Sequence, residues 1–137
     1  MSTCRGDRTR ELGSLALALG TASPRRAREF VNEELVRHAI DEALTQVAVL
    51  LVSELVTNAV EHARSRSLVR VGLLVSPPRI RGEVDDFSPT PPILRHPSVH
   101  EPRGRGLRLV AEMAGAWGYE LGSGVKTVWF ELALPSQ

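Results

Sequence analysis

Three polar side chains recur at steps of four residues in an otherwise apolar segment: Glu54, Asn58 and His62. On a helix this spacing stacks side chains in a single column. At about 100° per residue the column falls within roughly 60° of Leu51, on the buried side of the helix. A buried carboxylate and carboxamide are stable only when they are paired or line a cavity. The spacing leaves two interpretations open: a ligand cavity, or a solvated stripe at the edge of the helix.

A glycine-rich segment, Gly104-Arg105-Gly106-Leu107, is predicted to open a helix. Glycine lets the backbone approach a ligand closely, and the N–H groups at a helix start attract phosphate. Arg103, Arg105 and Arg108 add positive charge that suits an anionic ligand. The alternative is a simple hinge between a loop and a helix, flanked by solvated arginines.

Two acidic residues and a threonine lie in segments that are predicted to be strands. Asp85 and Asp86 end a β-branched segment, where an Asp-x-Ser-Pro sequence is also a common turn signal. Thr127 lies in the last strand, where its β-propensity alone would explain it. Each signal is modest by itself, and their joint occurrence in this order is the informative feature.

The elements that position these residues follow from hydrophobic spacing and turn signals. Apolar alternation or β-branched runs predict five strands: 12–19, 68–75, 79–86, 117–121 and 126–134. Helical spacing predicts three helices: 24–38, 42–65 and 107–115. Start signals for the first two helices are Thr21, Ser23, Pro24 and Asp41.

These segments predict an α/β (α+β) fold, a two-layer sandwich in which helices cover one face of a sheet. The sheet is expected to be mixed, mostly antiparallel, with about three helices on that face. Residues 1–10 are expected to form a flexible tail, and 11–137 a single domain. The proline-rich stretch 88–106 predicts a lid or a disordered loop.

The composition excludes several classes of function. The 137 residues carry 17 basic and 16 acidic side chains, a net charge of +1, which does not indicate a nucleic-acid binder. A single cysteine, Cys4, excludes an internal disulfide and a cysteine-only metal site. No apolar run is expected to approach a membrane span, and 1–10 lack a secretory apolar core, so we expect a cytoplasmic protein without membrane contact. Lys126 is the only lysine, for which genomic base composition is the simpler explanation.

Four segments resemble, in order, the motifs of the histidine-kinase-like (GHKL, Bergerat-fold) ATPases, and in particular the anti-sigma-factor serine kinases. Residues 53–63 resemble the N box, and 84–92 resemble the variant G1 box of their small bacterial relatives. Residues 104–110 resemble the G2 box and 126–132 the closing strand. The resemblance covers about residues 12 to 134 and implies the Bergerat ATP-binding fold.

The resemblance implies a role for each motif. Asn58 would bind the Mg²⁺ that bridges the nucleotide phosphates, and Glu54 would be the general base that deprotonates a serine hydroxyl. Asp86 would accept a hydrogen bond from the adenine amino group, with Thr127 assisting through its hydroxyl and a water. The rest of the nucleotide site would comprise His62, Gly104, Arg105, Gly106 and Leu107.

The implied function is an ATP-dependent protein serine kinase that sequesters a sigma factor. It would phosphorylate a small anti-anti-sigma (STAS-type) antagonist and act as a homodimer, with ATP and Mg²⁺ as ligands. Phe87, Ser88 and Pro89 stand where better-known members carry glycines after the aspartate. This departure supports the alternative, a non-catalytic module of the same fold that binds ATP without turnover or binds partners without ATP.

Overall fold

The computed structural model describes residues 9–62, 68–87, 110–122 and 124–135. Seven helices and strands are defined in this part of the chain: β1 Arg10–Ala18, α1 Ser23–Arg37, α2 Glu42–His62, β2 Leu68–Ser76, β3 Arg79–Asp86, β4 Ala116–Gly122 and β5 Val125–Ala133. Residues 110–113 are also helical. Residues 1–8 of the tail expected at 1–10 and the whole lid expected at 88–106 lie outside the described residues, whereas Arg10 is the first residue of β1.

The sheet has the strand order β1-β2-β3-β5-β4, and each neighbouring pair is antiparallel. The predicted α+β sandwich is confirmed, but the described sheet is antiparallel throughout instead of mixed. For β1 and β2 the reason is the connection between them, because two helices, α1 and α2, separate these strands where a parallel pair would need a single crossover helix.

The helix starts follow the sequence signals in part. Asp41 caps α2 as predicted, because its Oδ2 accepts a hydrogen bond of 3.1 Å from Leu44 N–H. At α1 the expected cap is wrong. Ala22 occupies the N-cap position, and Pro24 lies in the first turn. The Ser23 hydroxyl instead donates to the carbonyl of Ala18 at 3.0 Å, which joins the end of β1 to the helix.

The core lies between the helices and one face of the sheet. Burial alternates along β3: Ile80, Gly82 and Val84 are buried, and the residues between them are not. The Phe130 ring of β5 covers Gly82, where an added Cβ would lie 2.4 Å from Phe130 Cζ. The absence of a side chain at Gly82 therefore leaves the space that the Phe130 ring fills. The larger core side chains are Leu17, Val31, Leu35, Leu51, Leu55, Ile80 and Phe130.

Helix α2 is more apolar than expected. Its Glu42–Glu61 stretch has a mean hydropathy of 1.6 and by length and composition could cross a membrane, which corrects the expectation that no such run exists. A core helix of a soluble protein passes the same test. Here α2 packs against α1 and against β2, β3 and β5, so a wide arc of its surface is covered.

Candidate functional site

The last residue of β3 and the second residue of β5 form a buried ion pair. Asp86 and Lys126 are register partners, and Asp86 Oδ2 lies 3.6 Å from Lys126 Nζ. Their side chains are 3% and 5% exposed, on the face of the sheet that carries the helices. Burial lowers the pKa of the Lys126 ammonium below its ordinary value of 10.5, and the Asp86 carboxylate opposes that shift. Removing one partner of such a buried pair would leave the other charge uncompensated.

The neighbouring pair in the same register lies on the other face of the sheet. Thr127 Oγ1 donates to Asp85 Oδ1 at 2.8 Å, and Arg70 Nη1 donates to Asp85 Oδ2 at 2.7 Å. Successive residues of a strand point to opposite faces, so Thr127 cannot meet Asp86 across the sheet. The structure therefore brings Lys126, and not Thr127, to the predicted base-binding aspartate. A ligand role for Thr127 stays a prediction.

Replacing the Thr127 hydroxyl tests which role it has. We expect Thr127→Val to lower the free energy of unfolding by about 1–2 kcal/mol, because a hydrogen bond to a carboxylate is lost while shape and β-propensity are kept. Urea denaturation of Thr127→Val against Thr127→Ser, which keeps a hydroxyl, measures this loss. Unchanged stability with weakened ATP binding would contradict it and would favour the ligand role.

Glu54 and Asn58 lie one turn apart at the margin of the buried arc of α2. Leu51 and Leu55 are buried as predicted, whereas Glu54 and Asn58 are each half-buried. Glu54 and Asn58 are thus neither fully buried nor fully solvated. Desolvation by burial raises the pKa of the Glu54 carboxyl above its ordinary 4.5, and the negative charge of Glu61 raises it further. A raised pKa makes this carboxylate a stronger base.

The turn of α2 that carries Glu54 is fixed by the neighbouring helix. Arg28 Nη1 of α1 donates to the buried hydroxyl of Ser53 at 3.1 Å. This bond joins α1 to α2 next to the half-buried carboxylate. Sequence spacing gave no signal for it, because the two residues are 25 positions apart.

Several predicted site residues are not placed by the structure. Gly104, Arg105, Gly106 and Leu107 lie outside the described residues, and His62 is described only as the last residue of α2. In the described ranges there is no cluster of three or more His, Cys, Asp or Glu side chains that could hold a metal ion. Mg²⁺ that arrives on phosphate oxygens needs only one or two protein oxygens, and the carboxamide of Asn58 fits that requirement.

A separate groove of about 870 Å³ lies on the face of the sheet that the helices leave open. The Arg81 guanidinium lies 4.3 Å from the centre of the Trp129 ring, and Arg81 also pairs with Glu83 at 2.7 Å and Glu131 at 3.4 Å. None of the described site residues lines this groove. It is therefore distinct from the site at Asp86.

Sequence reasoning missed Lys126 as a site residue. Its only signal was that it is the sole lysine beside sixteen arginines, directly before the strand threonine. The pairing with Asp86 follows from the β3–β5 register, which joins positions 40 residues apart. Local spacing cannot reveal such a contact.

Comparison with known proteins identifies the family and supports the fold. The chain matches the histidine kinase-like ATPase domain over residues 18–132. A crystal structure of the RsbU and RsbW domains of a protein from Mycobacterium tuberculosis is similar, with a TM-score of 0.63 and 21% identity. The match covers 89% of this chain but only 32% of that one, so this chain spans about a third of its length. Curated proteins yield no match. Because the family match over residues 18–132 covers most of the 137 residues, the chain belongs to the histidine kinase-like ATPase domain family.

Proposed function

We propose that this chain is an ATP-binding regulatory protein with protein serine kinase activity, and that it acts as an anti-sigma factor. The observation that carries the proposal is the half-buried Glu54, with a raised pKa, one helical turn before Asn58. Membership of the histidine kinase-like ATPase family supports ATP binding. The fold similarity to a structure that contains an RsbW domain supports a regulatory role.

In this proposal the base and the phosphates of ATP contact different elements. Asp86, at the end of β3, would accept a hydrogen bond from the adenine amino group. Asn58 would hold Mg²⁺ through its carboxamide oxygen, with His62 and residues 104–107 contributing to phosphate binding. When bound, Mg²⁺ neutralises charge on the phosphates, which phosphoryl transfer requires.

Glu54 would take the proton from the attacking serine hydroxyl. Phosphoryl transfer depends mostly on positioning and electrostatic stabilisation, so the carboxylate has to orient the hydroxyl and receive its proton. Partial burial raises the pKa of the Glu54 carboxyl, which increases its proton affinity. The bond between Arg28 and Ser53 holds this turn of α2 in place.

The proposed partners are a sigma factor and an anti-anti-sigma protein of the STAS type. Phosphorylation of a serine on the STAS-type protein would prevent its binding and leave the sigma factor sequestered. We further propose a homodimer in the cytoplasm, built from a single domain over residues 11–137. These partners would use surface residues, which a fold by itself does not determine.

Calorimetric titration of Mg-ATP into the protein tests the ATP site. We expect wild-type protein to bind Mg-ATP with micromolar affinity. We expect the affinity of Asn58→Ala for ATP to be no higher with Mg²⁺ than in EDTA. Asn32→Ala, an exposed change on α1, is the matched control and is expected to keep the Mg²⁺ dependence. Mg²⁺-dependent binding that survives in Asn58→Ala would contradict the assignment of the metal ligand.

One observation favours a second candidate, a non-catalytic module of the same fold. The carboxylate of Asp86 already has a cationic neighbour in Lys126, and the exposed Phe87 follows it directly. An ion pair that held the carboxylate permanently would prevent it from binding adenine. Retained partner binding without any ATP binding would establish this candidate.

A further inference from the structure

We propose that Lys126 contacts the nucleobase directly, so that Asp86 and Lys126 read the base together as a paired acceptor and donor. The carboxylate would accept from the 6-amino group of adenine, and the ammonium would donate to a ring nitrogen beside that group, N1 or N7. This inference rests on the proposed ATP site and adds a specificity-determining residue to it.

The geometry places the two charged side chains side by side on one face of the sheet. Asp86 and Lys126 lie opposite each other on adjacent strands and point to the helix side of the sheet. Asp86 Oδ2 and Lys126 Nζ are 3.6 Å apart. They are therefore neighbours whose separation is comparable to that between adjacent polar atoms of a purine.

The chemistry of a purine edge needs both members of the pair. A carboxylate only accepts hydrogen bonds, so Asp86 can bind an amino group but repels the lone pair of a ring nitrogen. An ammonium only donates, so it satisfies that lone pair. In a buried site an unsatisfied ring nitrogen would cost binding energy, and Lys126 removes that cost.

The type of side chain also fits this role. Sixteen of the seventeen basic residues are arginine, and the one lysine lies at the aspartate. The planar guanidinium of an arginine tends to engage both oxygens of a carboxylate at once. A lysine is a compact point donor that can contact Asp86 and a ligand from one position.

Nucleotide analogues test the contact without changing the protein. Calorimetry would compare the Mg²⁺ complexes of ATP, 1-deaza-ATP and 7-deaza-ATP, each analogue lacking one of the two ring nitrogens. We expect one analogue to bind wild-type protein roughly tenfold more weakly than ATP, because it loses a hydrogen bond to a charged donor. Equal affinities for ATP and both analogues would overturn the inference.

Lys126→Met and Lys126→Arg separate a ligand contact from a structural role. We expect Lys126→Met to bind ATP roughly tenfold more weakly and to bind ATP and the discriminating analogue equally. Lys126→Arg keeps the charge and is expected to lose the same discrimination. A lysine that only holds Asp86 in place would leave the ratio between ATP and the analogue unchanged, and that result would overturn the inference.

The outcomes distinguish this inference from the proposed function. No ATP binding by wild-type protein would contradict both. ATP binding with no discrimination between analogues would contradict only the role of Lys126. If Lys126→Met fails to fold, Lys126→Arg, which keeps the charge, provides the same comparison between ATP and the analogue.

Discussion

Glu54→Gln is expected to lower the rate of phosphoryl transfer to a STAS-type substrate by about 10²–10⁴-fold, the usual contribution of a general base. Mg-ATP affinity is expected to stay unchanged, because the amide keeps the size of the side chain and Asp86 and Asn58 are untouched. Single-turnover transfer of labelled phosphate, with calorimetry for ATP affinity, measures both quantities. Transfer at the wild-type rate would remove Glu54 from the mechanism.

The pH profile provides an independent check on the same residue. Glu54 must be ionised to accept a proton, so the rate is expected to fall as the pH drops through its raised pKa, above the ordinary 4.5. Glu61→Gln removes one cause of the shift and is expected to move this fall to lower pH. Glu29→Gln, on the exposed side of α1, is the matched control and is expected to leave the profile in place.

As the pH rises through the pKa of Glu54, its contribution to the free energy of unfolding is expected to fall while the rate of phosphoryl transfer rises. A carboxyl whose pKa is raised by folding is less favourable in its ionised form, so its contribution to stability is lost as the pH rises through the folded-state pKa. Glu54→Gln should therefore melt no lower than wild type at neutral pH. A lower melting temperature would indicate that the carboxylate has a structural partner.

Asp86→Ala is expected to cost about 3–5 kcal/mol of unfolding free energy and to abolish ATP binding. The cost is large because the change leaves the Lys126 ammonium buried without its carboxylate. Urea denaturation measures the loss of stability. The double variant Asp86→Ala/Lys126→Met is expected to recover most of the stability but none of the ATP affinity.

Asp85→Ala is the matched control for this experiment. Asp85 lies one residue before Asp86 on β3, faces the open side of the sheet and accepts hydrogen bonds from Arg70 and Thr127. We expect a smaller loss of stability, because these partners stay partly hydrated, and we expect ATP binding to be retained. Equal losses from Asp85→Ala and Asp86→Ala would contradict the assignment of the buried pair.

The sequence by itself determined the elements of this protein and their order. Apolar alternation, helical spacing and turn residues are local properties of the sequence. The described strands and α1 therefore begin and end within about two residues of their predicted positions. The same spacing identified Glu54 and Asn58 as neighbours on α2. The residue types of the four motifs were sufficient to indicate the ATPase family, which the comparison confirmed.

Only the tertiary structure decided which face each polar residue occupies. The β3–β5 register pairs Asp86 with Lys126 and Asp85 with Thr127, and a shift of one residue would exchange the two faces. Likewise, the packing of α1 and the sheet around α2 left Glu54 at the margin of a wide buried arc. Register and packing depend on contacts between distant segments, whereas spacing along the chain reports only on the segment that contains it.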